Sequence, residues 1–122
     1  MRYKVLILEL FLLLCVVEIR SQEWIRIYGD TINTLTNKVH EHYDKGYIFT
    51  GKREEGWTWF GWVMKTDING YTRWTKSYGL IDKMNPISSS RITSDGGIIA
   101  IGGSNNLSLN CDDPIIFKIN PC

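Results

Sequence analysis

The sequence predicts an all-β protein built from repeated antiparallel sheets, and three observations support this prediction. Strand-favouring aromatic residues make up 12% of the 122 residues, whereas the helix former Ala is nearly absent. Tight-turn sequences separate short apolar runs. Similar blocks recur about every 50 residues, which is the period of a four-stranded β-propeller blade. The expected fold is therefore an array of antiparallel, four-stranded, β-propeller-like blades, with about two units present and the last incomplete.

Residues 1–21 have the layout of a secretory signal peptide. A basic start at Met1–Lys4 precedes the apolar run Val5–Val17, which is interrupted only by Glu9. Because a transmembrane helix needs about 20 apolar residues, cleavage after Ser21 is preferred to the alternative of an uncleaved anchor. We therefore expect a secreted or cell-surface protein with no membrane span after cleavage.

Export also determines the chemistry open to the cysteines. Cys15 would leave with the signal peptide, so that Cys111 and Cys122 remain. In an oxidising compartment these two could form a disulfide. Alternatively they stay unpaired, because Cys122 is the last residue and chain ends fray. Neither cysteine has a His or a second Cys at zinc-ligand spacing, so no zinc site is expected at either.

The region 22–122 repeats itself in three ordered pairs of blocks, with offsets of 50, 51 and 53 residues (74 − 24, 95 − 44 and 118 − 65). The order divides the region into a first unit at about residues 30–79 and a second at about 80–122. The paired blocks are Trp24–Gly29 with Trp74–Gly79, Asp44–Gly51 with Asp95–Gly102, and Val63–Asn69 with Ile116–Asn120.

Each unit is predicted to consist of strands joined by tight turns in which a glycine takes a positive φ. The second unit has sequence for only three strands, and Glu23–Gly29 is predicted to be an unpaired strand. The predicted strands are 38–42, 47–51, 59–66 and 71–78 in the first unit and 87–93, 98–101 and 115–119 in the second, and the turns are Asp44-Lys45-Gly46, Asn69-Gly70 and Asp95-Gly96-Gly97.

These blocks resemble a family of β-propeller-like repeat proteins that is abundant among the secreted proteins of Bacteroidetes. The resemblance covers roughly residues 24–122 and depends on the Trp-x-x-x-Tyr-Gly and Asp-Gly-Gly blocks, together with the Lys-x-Asp/Asn segments around Lys65 and Lys118. It implies a long array that often carries a C-terminal type IX secretion signal, which this chain lacks. We therefore expect an N-terminal fragment, completed by self-association or by further blades in a longer chain.

An aromatic cluster provides the candidate ligand-binding residues, Trp57 and Trp59. Aromatic faces are common in carbohydrate and peptide grooves, and Trp57 follows the predicted loop 52–56, where binding residues are frequent. The alternative for the rest of the cluster is packing between blades, and it applies to Phe60, Trp62, Tyr71 and Trp74.

A metal site and a catalytic site have less support. His40 and His42 would share one face of a strand, but a metal needs three or four ligands, so a solvated or channel-facing pair is the alternative. Asp112-Asp113-Pro114 is interpreted as a turn before a strand. No nucleophile motif or phosphate loop is present, so no catalysis and no cofactor are expected.

The balanced charge argues against a nucleic-acid or anionic-membrane surface as the main partner, because the sequence has 14 Lys and Arg and 13 Asp and Glu. The preferred function is an exported or cell-surface binding or scaffolding module for a protein or glycan. The alternatives are a lectin-like protein that uses exposed Trp and the N-terminal part of a larger exported hydrolase.

Overall fold

The computed structural model describes residues 23–80, 83–106 and 111–120, together with Tyr3. Eight strands among these residues form two antiparallel sheets, which confirms the predicted all-β class. The predicted signal peptide and Cys122 lie outside the described residues, apart from Tyr3. The strands are β1 (Thr34–Glu41), β2 (Tyr47–Glu55), β3 (Thr58–Thr66), β4 (Thr72–Tyr78), β5 (Lys83–Met84), β6 (Ile87–Ile92), β7 (Ile98–Asn106) and β8 (Cys111–Ile119).

The first sheet is a meander in which β1, β2, β3 and β4 lie side by side in chain order. In the second sheet, β7 pairs with β8 on one edge and with both β5 and β6 on the other. Asn85 and Pro86 separate β5 from β6, and proline has no backbone N–H for a strand ladder. The four described strands of the second sheet therefore occupy three positions across it.

Three turns have the same geometry, and in each the last residue of a β-turn has a positive φ. The residues with positive φ are Lys45 (66°), Gly70 (79°) and Gly96 (79°). The predicted glycine was therefore wrong in the first turn, where Lys45 takes this conformation in place of Gly46. Position 46 requires glycine for a different reason, because a Cβ there would overlap the carbonyl oxygen of Thr66.

A β-bulge recurs in both sheets at the same position. The register shifts between Thr36 and Lys38 in β1, and again between Ile87 and Ser89 in β6. Each bulge lies opposite a glycine, Gly51 or Gly102, at which a Cβ would overlap a carbonyl oxygen, that of Leu35 in β1 or that of Pro86 just before β6. The repeat seen in the sequence is thus a repeat of bulge and turn geometry as well.

Several predicted boundaries were wrong in detail. The expected loop 52–56 belongs to β2 as far as Glu55, and Asp112-Asp113-Pro114 lies within β8 rather than in a turn. Glu23–Gly29, which was predicted to be an unpaired strand, pairs with no described strand. Residues 52–55 and 112–114 are in strands because each segment has a partner strand opposite it, which local sequence does not reveal.

The core lies between the two sheets, since side chains of both meet there. Ile48 and Val63 of the first sheet pack against the second sheet, together with half-buried Trp74 and Tyr78. The buried residues contributed by the second sheet are Ile87, Ile98, Ala100 and Ile119. Within the described part of the chain, no helix is long and apolar enough to cross a membrane.

Each sheet has two faces, and aligned residues define them in both units. The front face contains Ile48, Thr50 and Val63 in the first sheet and the aligned Ile99, Ile101 and Ile116 in the second. The back face contains Tyr47, Phe49 and Met64 in the first sheet and the aligned Ile98, Ala100 and Phe117 in the second. The front of the first sheet packs on the back of the second.

Candidate ligand-binding surface

Trp57 lies at the tip of the β2–β3 hairpin and is 99% exposed. Glu55 pairs with Thr58, so the turn consists only of Gly56 and Trp57. Gly56 has a φ of 65°, and the Thr58 hydroxyl donates to the Glu55 carbonyl at 3.2 Å. A short hairpin thus holds a large aromatic side chain in solvent, where either ring face can contact a ligand.

Trp59 lies nearby but is half-buried. The Lys52 ammonium lies 4.7 Å from its ring centroid, a distance typical of a cation–π contact. The Trp59 carbonyl accepts a hydrogen bond of 2.7 Å from the backbone N–H of Asn85 in the second sheet. Trp59 therefore takes part in the contact between the sheets, and of the two predicted binding residues Trp57 is the more accessible.

The other aromatic residues of the cluster fall on different surfaces. Trp74 packs in the core between the sheets, as predicted. Trp62 is buried on the opposite face, where its Nε1 donates to the Thr75 hydroxyl at 2.7 Å. Tyr71 is 57% exposed and stacks with the Arg26 guanidinium, 3.9 Å from its ring centroid. Packing between the sheets thus explains Trp74 but not Trp62 or Tyr71.

His40 and His42 both point toward the second sheet. His40 Nε2 lies 3.0 Å from the Ser90 hydroxyl, and His42 Nε2 lies 3.0 Å from the Gly96 carbonyl. His42 Nδ1 is also 3.1 Å from Asp44. Among the described residues no group of three His, Cys, Asp or Glu side chains could hold a metal. The two histidines connect the sheets by hydrogen bonds.

Sequence reasoning did not anticipate a lysine that closes each repeated turn. Lys65 Nζ lies 2.7 and 2.6 Å from the two carboxylate oxygens of Asp44, and its side chain is only 6% exposed. Asp44 also accepts the Gly46 backbone N–H at 3.0 Å. Hydrogen bonds from Lys65 are the main reason that the pKa of Asp44 falls to about 2.

The second unit repeats this arrangement with Lys118, Asp95 and Gly97. Lys118 Nζ lies 3.0 Å from Asp95, which accepts the Gly97 N–H at 3.0 Å. Several hydrogen bonds lower the pKa of Asp95, and the one with the Thr93 hydroxyl contributes most. The 51- and 53-residue offsets already paired these positions, so the sequence held a signal for this contact.

A small pocket separates residues 28–30 from the back face of the first sheet. It has a volume of about 130 Å³, and Tyr28, Arg53 and Trp62 are among the residues that line it. Arg53 forms an ion pair of 2.7 Å with Asp30 at its rim. Sites for drug-sized ligands usually measure about 300–1,000 Å³, and this pocket lies below that range.

No protein-family model matches this chain, and no curated protein resembles it at a significant level.

Proposed function

We propose that this chain is an exported, propeller-like binding module without catalytic activity of its own, and that Trp57 is its main contact with a protein or glycan ligand. The exposure of Trp57 is the main support for the proposal. Of the other Trp residues that the structure describes, Trp24 is 37% exposed and the rest are half-buried or buried. Trp is among the residues that dominate binding energies at protein interfaces. Its position in a two-residue turn reduces the ordering cost of binding, because the backbone is already held.

A photo-activatable cross-linker placed at position 57 tests this contact on the surface of the source cells. We expect a discrete cross-linked product from position 57. The control is the same group at Ile68, which is 54% exposed in a different turn. Equal cross-linking from both positions, or none from position 57, would contradict a contact through Trp57.

A lectin-like function is the second candidate, favoured by the same solvent-exposed indole. Sugar rings stack on aromatic faces, and no neighbouring side chain covers either face of Trp57. On a glycan array, Trp57→Ala should lose about tenfold or more of any specific signal, whereas Ile68→Ala should keep it. A wild-type protein that binds no glycan on the array, or whose binding Trp57→Ala leaves unchanged, would contradict the lectin-like function. The proposed ligand is then a protein.

Export rests on the basic and apolar pattern of residues 1–21. Mass spectrometry of the exported protein should find a mature N-terminus near Gln22. Recovery of intact Met1 from the exported fraction would exclude cleavage and favour an anchor.

A further inference from the structure

The two sheets pack front to back, so that one front face and one back face have no sheet packed on them. The front of the first sheet contacts the back of the second. The front of the second sheet is therefore available for the same contact with other copies, and so is the part of the first sheet's back around Val39 that residues 24–30 leave exposed. Head-to-tail contacts between unlike faces extend from copy to copy, unlike a symmetric interface between identical patches.

The unused front of the second sheet is apolar and exposed. Ile99, Ile101 and Ile116 are 40%, 51% and 68% exposed, respectively. Their aligned partners on the first sheet, Ile48, Thr50 and Val63, are all 0% exposed because the second sheet covers them. The second unit thus presents the surface that is buried in the first.

The opposing residues of this predicted contact match in polarity. Within the chain, Thr50 on a front face hydrogen-bonds Ser90 on a back face at 2.6 Å. The aligned residues for a contact between copies are Ile101 and Val39, since Val39 pairs with Phe49 as Ser90 pairs with Ala100. Both are apolar and exposed, at 51% and 55%, so a polar pair is replaced by an apolar pair.

Residues 24–29 lie against the back of the first sheet. Tyr78 of β4 contacts the Phe117 ring on the back of the second sheet, 6.5 Å between centroids. Tyr28, which aligns with Tyr78, contacts the Phe49 ring on the back of the first sheet at 5.4 Å. Tyr28 and Tyr78 thus each contact an aromatic ring on the back of a sheet, on β2 of the first sheet and on β8 of the second, and residues 24–29 pair with no described strand.

The second sheet has a free edge for such a strand. Among the described strands β8 pairs only with β7. In the first sheet Thr75 pairs with Met64 and Ser77 with Trp62. The same register would place Ile25 opposite Phe117 and Ile27 opposite Ile115. Ile25 and Ile27 are 92% and 93% exposed, and this pairing would cover them.

We propose that copies of this chain associate head to tail, with residues 24–29 of one copy forming the fourth strand beside β8 of another. The exposed isoleucines on the front of the second sheet then pack on the back of the next copy's first sheet around Val39. The assembly removes an apolar face and an unpaired strand edge together. It does not involve Trp57, so it is independent of the proposed ligand contact.

Sedimentation velocity on the purified full chain tests the assembly with two variants on complementary surfaces. Ile101→Lys alters the front of the second sheet, and Ile27→Lys alters the donated strand. The average sedimentation coefficient of the wild-type protein should rise with protein concentration. Each variant alone should associate about tenfold or more weakly, because the contact would bury an unpaired ammonium. Mixing the two variants should restore a dimer, since one intact interface remains between them, but no larger species.

Trp57→Lys is the matched control, because it places the same charge on the most exposed aromatic side chain. It should associate like wild-type protein, with unchanged circular dichroism. If a lysine variant loses its circular dichroism, Ile101→Ser or Ile27→Ser replaces it in the mixing experiment. A monomeric wild-type chain, equal loss of association in Trp57→Lys, or a mixture of folded variants that stays monomeric would overturn the proposal.

Discussion

The two sheets contain the same local structures, yet the front of the first sheet is buried and the front of the second is exposed. Both have the bulge opposite a glycine, the turn with one residue at positive φ, and the lysine that closes this turn. Lys65 is 6% exposed, whereas Lys118 is 44% exposed. Ile48 is fully buried, whereas the aligned Ile99 is 40% exposed. Each unit thus forms its turns by itself, but its burial depends on a neighbour.

The largest difference is expected at the aligned isoleucines. Ile48→Ala should lower the free energy of unfolding by about 3 kcal/mol, because it removes buried methylene groups and leaves a cavity. Ile99→Ala should cost less than about 1 kcal/mol in the monomer, since its side chain is already partly in water. Denaturant unfolding at low protein concentration measures both values. Equal losses would show that the front of the second sheet is covered in solution.

The second pair compares the small residues of the two turns. Gly46→Ala should destabilise by about 2 kcal/mol or more, because its Cβ would overlap a backbone carbonyl that cannot move freely. At Gly97 the nearest atom to a new Cβ is the flexible Lys118 Nζ, at 2.7 Å, so Gly97→Ala should cost less. Thermal unfolding of the two variants ranks them. A larger loss at Gly97 would mean that the lysine is as rigid as the backbone.

The third pair compares the two ion pairs. Asp44→Asn removes the carboxylate partner of buried Lys65 and should cost about 1–2 kcal/mol at neutral pH, a value that allows for solvent around Asp44. Asp95→Asn should cost less, since Lys118 remains hydrated. Urea unfolding of both variants decides this order.

Acid should weaken the first ion pair in a defined range. The pKa of Asp44 is about 2 in the folded chain and 3.8 in its ordinary state. The unfolded chain therefore binds the proton first, so the contribution to stability is complete above about pH 4 and is lost as the pH falls toward about 2. Asp44→Asn should flatten the wild-type decline in this range. An unchanged decline in the variant would assign it to other carboxylates.

The smallest effect is expected at Lys45, and it should be stabilising. Lys45 has a φ of 66°, where the aligned position of the second unit has Gly96. Lys45→Gly should raise stability by about 0.5–1 kcal/mol, because glycine adopts this conformation without a Cβ clash. The melting temperature measures the gain. A loss would show that the exposed contact of Lys45 with Glu41 at 3.3 Å outweighs backbone strain.

Much of the fold could be predicted because its signals are local. Alternation and turn residues located seven of the eight strands that the structure describes, but not β5, which is two residues long. Among the site residues, Trp57 could be placed at a turn beside charged residues. The inter-sheet contacts of His40, His42 and Trp59 could not be predicted, because they depend on residues about 25–55 positions away.

The sequence by itself determined the all-β class, the order of the two units and the positions of their turns, because each follows from residues close together in the chain. The tertiary structure alone decided which faces are buried. Ile48 and Ile99 occupy aligned positions and have the same side chain, yet only Ile48 has a sheet packed over it. Burial is a property of the neighbour, and the repeat carries no local signal for where its neighbours end.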